Sequence, residues 1–408
     1  MRAPTQVRIL PSPLPPPRAR PGAPAGPAGP RTVCPQFSAL PRSAVPSRAG
    51  VRFLAVLARF AAGRVVQLGD RLMPLAASPA PGRALVVVNP TAGTARTPLV
   101  QEVIARCRAR LERVVVHRTA HRGDATDAVR AALARPGGQG PDLVVAVGGD
   151  GTVREVVQAL VGAAPRERAA LAVVPAGTGN SDYRMLWGQA PWQESLEATL
   201  GAVPGRARRR RIDVGQLAET GELVLLGACS GLIAEGLVAA RSIAVAGRER
   251  YARALPQAAV GFRPYPGRVT VDGRVLHEGA TVLANVGGGR YRGGQYLILP
   301  RSELDDGLLD VCVVGAQVAA ADVPELARAG VLHKRPGVVH GRGRRVVVER
   351  LDGRPLCFEH DGELQPPAWT SMTVQVLAGV LPVWGAATKE VTRVHTPPAL
   401  PLGGLAAT

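Results

Sequence analysis

The residues best suited to chemistry stand in glycine-rich turns. Gly148-Gly149-Asp150-Gly151-Thr152 lies between an apolar run and a helix-forming stretch. Glycines let backbone N–H groups approach a phosphate closely, and the N-terminus of the following helix favours negative charge. An acid in such a loop can orient a metal or a reacting hydroxyl. Asn89-Pro90-Thr91-Ala92-Gly93 and Pro175-Ala176-Gly177-Thr178-Gly179-Asn180 repeat the pattern of small residues with an amide or a hydroxyl. Thr119, ahead of Gly123-Asp124, supplies a further hydroxyl. A fourth turn, His360-Asp361-Gly362-Glu363, carries two carboxylates able to take a proton from a hydroxyl. Asp-Gly is also a hairpin signal in its own right.

These turns need elements to hold them. RALVVV from Arg83, RVVVHR from Arg113, LVVAVG from Leu143 and ALAVVP from Ala170 are β-branched or apolar runs, separated by stretches with helical periodicity. The alternation β-α-β-α-β-α-β predicts a doubly wound, Rossmann-like parallel sheet over residues 81–207, with the glycine turns at the carboxyl ends of its strands, where ligands bind in such sheets. From Arg208-Arg209-Arg210-Arg211 onward the texture changes to short β-rich pieces separated by Gly, Pro and charged turns. A second, mostly antiparallel β domain is expected over 208–385, with a helical insert near 234–260. The basic run at the junction suits phosphate groups, an anionic lipid or plain solvation. The Pro- and Ala-rich stretch after about Pro382 is uninformative, with 386–408 as a flexible tail.

Of the 37 prolines, 13 fall in residues 1–50, which predicts disorder there. Residues 51–80 contain an amphipathic basic helix and a linker, suited either to packing on the core or to lying on anionic lipid. Residues 1–80 carry 11 arginines against the single acid Asp70, so about half of the net charge of +19 sits outside the expected folded core. A basic chain favours anionic partners. Aromatic residues make up only 3%, and nothing resembles a nucleic-acid reading module, so nucleic acid is not expected as a partner. Five dispersed cysteines show neither zinc spacing nor a disulfide framework, which points to a reducing cytoplasmic compartment. No apolar stretch is long enough to cross a bilayer, so membrane would be met from its inner surface.

Asn89 to Gly93, GGDGT, PAGTGN, the stretch ANVGGGRYRGGQYLILPRSELDDGLLDVCVV at 284–314 and HDGE at 360–363 resemble, in order and spacing, the diacylglycerol kinase catalytic-domain family. That family includes sphingosine, ceramide and bacterial lipid kinases. The resemblance implies a C-terminal β-sandwich and an active site in the cleft between the two domains. ATP would lie there against Asn89, Thr91, Thr119, Gly148, Gly149, Asp150, Gly151, Thr152, Thr178 and Asn180. It also implies a structural magnesium ion on the loop holding Glu303, Asp306 and Leu308, an acidic turn suited to a hard cation. Asp361 and Glu363 are candidates for the base that activates the acceptor hydroxyl, and Asp150 is the other. Asp361 is preferred as base, with Asp150 at the nucleotide.

The sequence departs from its relatives in two places. Ser181 intervenes between Asn180 and the acid Asp182, and Ile233 stands where many relatives carry an Asp thought to approach the lipid head. Diacylglycerol is the expected acceptor, with a sphingoid base or another lipid alcohol as the alternative. An NAD kinase also uses GGDG, but the second domain lacks the Asn-Glu pair such enzymes place on the dinucleotide. A non-catalytic relative that binds nucleotide or membrane is the third reading. The expected partners are a membrane lipid and, for assembly, a second copy of the chain.

Overall fold

The computed structural model describes residues 80–164, 169–245 and 248–387. The segment 1–50, the basic helix within 51–80 and the chain beyond residue 387 lie outside the described residues. In the first lobe, β1 (Arg83–Val88), β2 (Arg113–Arg118), β3 (Leu143–Gly148) and β4 (Ala170–Pro175) are linked through α1 (Thr97–Arg110), α2 (Asp124–Leu133) and α3 (Asp150–Gly162). Their pairings are all parallel, in the order β2-β1-β3-β4.

Almost every residue of β1, β3 and β4 is buried, as a sheet covered on both faces requires. The strand period of two divides them. Leu85, Val87, Val144, Ala146, Leu171 and Val173 pack with Val129 of α2 and Val156 and Leu160 of α3. Ala84, Val86, Val88, Val145 and Val147 pack on the other face with Val100, Val103 and Cys107 of α1. The chain steps outward from β1 to β2 and then returns to β3 on the far side of β1. This puts the topological switch point between β1 and β3, where ligands bind in such sheets. After β4 come α4 (Ser181–Trp187) and α5 (Trp192–Thr199).

The second lobe opens with β5 (Ala207–Leu217), β6 (Leu223–Val224) and β7 (Ala228–Gly231), then the helical insert α6 (Leu232–Ala240) and α7 (Arg248–Gly261). Next are β8 (Tyr265–Val271), β9 (Arg274–Gly287), the short pair β10 (Tyr291–Arg292) and β11 (Tyr296–Leu297), and β12 (Leu309–Gly315). The lobe closes with α8 (Val323–Arg328), β13 (Val338–Gly343), β14 (Arg345–Arg350), β15 (Phe358–His360), β16 (Glu363–Leu364) and β17 (Ser371–Ala386). Its strand pairings are antiparallel. Val269, Val286, Val311, Val348, Phe358 and Val374 form its inner core. Leu232, Ile233, Leu255, Tyr296 and Cys312 form a second layer under the helices.

The last strand runs through Pro382. β17 continues to Ala386, and Leu381, Val383 and Ala386 are buried in the first lobe's core. Its first half pairs with β14 and most of its length with β5, while Val383 sits beside Leu171 of β4 in parallel register. A register shift between Leu377 and Leu381 contains Gly379 at φ 57°, and Asp213 accepts the Gly379 N–H at 2.7 Å and the Gly307 N–H at 2.7 Å. One sheet therefore runs through both lobes, and hydrogen-bonded strands, not a linker, set the lobes against each other. That joint positions the facing turns described next.

Candidate active site

The first lobe's turns interlock at the switch point. The Asn89 side-chain oxygen accepts the N–H of Thr91 at 3.0 Å and its hydroxyl at 2.8 Å. Its amide nitrogen donates to Thr152 Oγ1 at 3.1 Å, which ties the end of β1 to the first turn of α3. Gly149 and Gly177 touch backbone to backbone: a Cβ on Gly177 would stand 2.3 Å from the Gly149 Cα, so only glycine lets these loops meet. Gly148 lies directly beneath the Thr152 side chain. Asn180, at φ 53°, closes its loop by accepting the Gly177 N–H at 2.9 Å and donating to the Gly177 carbonyl at 2.8 Å. Thr91, Gly151 and Thr178 are left exposed on this edge. Thr119 is at the end of the outermost strand, its N–H donated to the Val88 carbonyl at 2.9 Å.

Three carboxylates converge where the lobes face each other. Asp150, the first residue of α3, accepts the Asp182 N–H at 3.2 Å. Burial pushes its carboxyl above the ordinary value, against hydrogen bonds from Asp182 and Ser181 and with the charge of Asp361 adding to the rise. Asp182 is only 3% exposed, and its Oδ1 has no hydrogen-bond partner. Burial, then the charges of Asp150 and Asp361, push it well above the ordinary range. Sequence reasoning registered Asp182 only as a displaced acid. The turn of helix that begins at Ser181 brings it, one position late, onto Asp150.

Asp361 is held in the opposite way. It begins the two-residue turn between β15 and β16, with φ 50° at Asp361 and 83° at Gly362, the left-handed pair a tight hairpin needs. Its carboxylate accepts the N–H groups of Leu225 at 2.9 Å, Leu226 at 2.7 Å and Gly227 at 3.1 Å. Burial raises it, but His360 at 3.8 Å and these amides outweigh that and leave it below the ordinary carboxylate value. His360 is itself buried, which lowers it, yet Asp361 and Glu222, the latter 3.1 Å from Nε2, bring it out above its usual value. The neighbouring Glu359 is buried and pushed up to about 7. A carboxylate so saturated with donors is a poor base, which argues against the role expected for Asp361. Glu363 is also engaged, 3.2 Å from Arg122 and 3.4 Å from Arg154 across the cleft.

Glu303, Asp306 and Leu308 share one turn, as the sequence implied, but its carboxylate is already neutralised. Asp306 pairs with Arg342 and accepts the Leu308 N–H at 3.1 Å. Arg342 also reaches Asp310, its cross-strand register partner, at 3.1 Å. A magnesium ion on Asp306 would have to displace a guanidinium, so the residues as arranged do not fit an open cation site. No group of three or more acidic, His or Cys side chains suited to a metal occurs among the described residues. Ile233 is 2% exposed in the apolar layer under the helices, so this position offers nothing polar to a lipid head.

Comparison with known proteins finds matches over both lobes. Residues 83–217 match the diacylglycerol kinase catalytic domain, and residues 230–385 match the YegS C-terminal NAD kinase beta sandwich-like domain. The diacylglycerol kinase of Bacillus subtilis strain 168 is 30% identical over 294 residues, covering 69% of this chain and 89% of the relative. The diacylglycerol kinase of Mycobacterium tuberculosis H37Rv is 32% identical over 235 residues, covering 56% and 72%. A crystal structure of a diacylglycerol kinase from Bacillus anthracis shares the fold, with a TM-score of 0.56 at 22% identity over 75% of this chain and 97% of the other.

Proposed function

Because this chain belongs to the diacylglycerol kinase catalytic-domain family and is a lipid kinase, we propose that it transfers the γ-phosphate of ATP to the hydroxyl of diacylglycerol, giving phosphatidic acid. The observation that carries the reading is Asp150. It is a buried carboxyl with a raised proton affinity, set beside interlocked glycine turns at the switch point and facing the second lobe. A carboxylate whose proton affinity is raised accepts a hydroxyl proton more readily than one held low. Asp150 therefore takes the acceptor's proton as its oxygen bonds to the γ-phosphorus and ADP leaves. The exposed Thr91, Gly151 and Thr178 edge receives the phosphates, with magnesium arriving as part of the nucleotide substrate. Asp361 acts through position: it fixes the 225–227 turn opposite Asp150.

No helix among the described residues is long and apolar enough to cross a membrane. With a net charge of +19, the chain is suited to meeting an anionic membrane from its cytoplasmic surface, where the acceptor lies.

The test is transfer from labelled ATP by the full chain, with vesicles containing diacylglycerol, sphingosine or neither, and with NAD as a water-soluble acceptor. Label in phosphatidic acid supports the reading. Label only in sphingosine phosphate would move the acceptor to a sphingoid base. Label only in NADP would favour the dinucleotide kinase suggested by the name of the second domain's match.

A further inference from the structure

A pocket of about 70 Å³ opens between the lobes, with Arg184 and Met185 of α4 on one wall. None of the residues assigned to the nucleotide lines it. That volume is room for several water molecules, or for one tetrahedral oxyanion. Its walls bring together Arg184 of α4, Arg210 of β5 and Arg290 of the loop before β10. The strand period of β5 turns Arg208 and Arg210 inward and leaves Arg209 and Arg211 exposed.

The carboxylates of Glu303 and Asp305 also line the pocket, so three arginines face two acids there. Arg208 and Arg210 share the single carboxylate of Asp305 at 3.7 and 3.8 Å, beyond hydrogen-bonding distance. The Nε atoms of both arginines are buried without an acceptor. The Arg210 side chain is only 12% exposed. A partly buried guanidinium with an unmet donor costs free energy until an acceptor arrives. Guanidinium groups present paired donors that match the oxygens of a phosphate. Arg184 also donates to the Gly294 carbonyl at 2.7 Å, so the walls are fixed from both lobes.

We propose that this pocket is a binding site for a phosphate-bearing anion, held by Arg184, Arg210 and Arg290 and separate from the nucleotide. The phosphate comes either from a phospholipid headgroup or from a free phosphate ion. Neither source depends on which lipid is phosphorylated, and binding is read without turnover.

The experiment is calorimetric titration of the full chain with inorganic phosphate, in the presence of a saturating non-hydrolysable ATP analogue. Arg210→Gln and Arg290→Gln are compared with Arg274→Gln, an exposed site at the far β8–β9 turn that loses the same charge. Thermal melts show which variants fold, and Arg290→Gln, in a loop, decides the matter if Arg210→Gln does not. Phosphate binding that weakens about tenfold or more in the two pocket variants and is unchanged in Arg274→Gln supports the site. Flotation with vesicles of phosphatidylcholine, alone or in equal parts with phosphatidylglycerol, then separates the sources. Loss of the phosphatidylglycerol-dependent retention in the pocket variants assigns a lipid headgroup, and unchanged retention assigns a free anion. Three results would overturn the proposal: no phosphate binding to folded wild type, equal weakening in all three variants, or displacement of phosphate by the nucleotide analogue.

Discussion

Two Asp-Gly turns face each other across the lobes, and the same pair of residues is put to opposite electrostatic use. Asp150-Gly151 opens a helix, with its carboxyl buried beside a second aspartate and pushed toward the neutral form. Asp361-Gly362 closes a hairpin, and three backbone amides with a neighbouring histidine keep its carboxylate ionised. Proton affinity thus follows from the donors each turn presents, not from the residue type. A carboxyl whose proton affinity is raised can do acid–base work, whereas a saturated carboxylate holds structure.

The largest expected effect is on the first turn. Asp150→Asn should lower kcat by about 10²–10⁴-fold, the range for loss of a general base, while the melting temperature stays near that of wild type. Full activity in the variant would put the base elsewhere and dissolve the division of labour between the turns. Asp361→Asn should act the other way round. It strips a charge from a buried cluster of amides and from His360, at a cost of about 3–5 kcal/mol in unfolding free energy by urea titration. A stable Asp361→Asn protein without activity would return the base to the second turn.

How much of this was legible in the sequence differs between the turns for a physical reason. The interlocked loops of the first lobe announce themselves because close backbone approach demands glycine at particular positions, such as Gly149 against Gly177. The strands that carry them show in their β-branched runs. The state of Asp361 did not show, because its amide donors come from residues 225–227, more than a hundred positions away. Arg342 was unforeseen on Asp306 for the same reason: cross-strand register brings it there. The end of β17 stayed uninformative because its strand character comes from pairing with β4 and β5, which are distant in sequence.

A smaller effect separates the turns by pH. Asp182 has a folded proton affinity raised above the ordinary 3.8, so its favourable contribution is complete below that value and is lost as pH rises through the folded value. Above it, an ionised carboxylate must stay buried with an oxygen unpartnered. Asp182→Asn should therefore stabilise the protein by about 1–3 kcal/mol at pH 8 and by progressively less as pH falls. His360 is likewise raised, above 6.5, so its contribution is complete below that value and fades as pH rises through the folded value. Asp361 is depressed, so its contribution holds above 3.8 and is lost as pH falls through the folded value. Melts across pH should show the alkaline decline reduced in Asp182→Asn and the acid decline retained. An acid decline abolished by Asp182→Asn would mean that the two turns titrate as one unit.

The smallest effect concerns the contact that joins the turns. Glu363, two residues beyond Asp361, reaches Arg154 on α3, four residues beyond Asp150, and Arg122 in the loop between β2 and α2. The Glu363 side chain is 43% exposed, that of Arg122 74% and that of Arg154 19%, so solvent reaches the shared carboxylate and Glu363→Gln should cost only about 1 kcal/mol of stability. The consequence for turnover differs, because Arg154 shares its helix with the proposed base. Releasing Arg154 loosens the spacing of the facing turns without removing a reacting group, so kcat should fall by less than tenfold while KM for the lipid rises. The wild-type enzyme should drift toward the Glu363→Gln values as salt is raised, since the same pairs are screened. A loss in Glu363→Gln as deep as that of Asp150→Asn would give Glu363 a proton-transfer role that its two arginine partners do not suit.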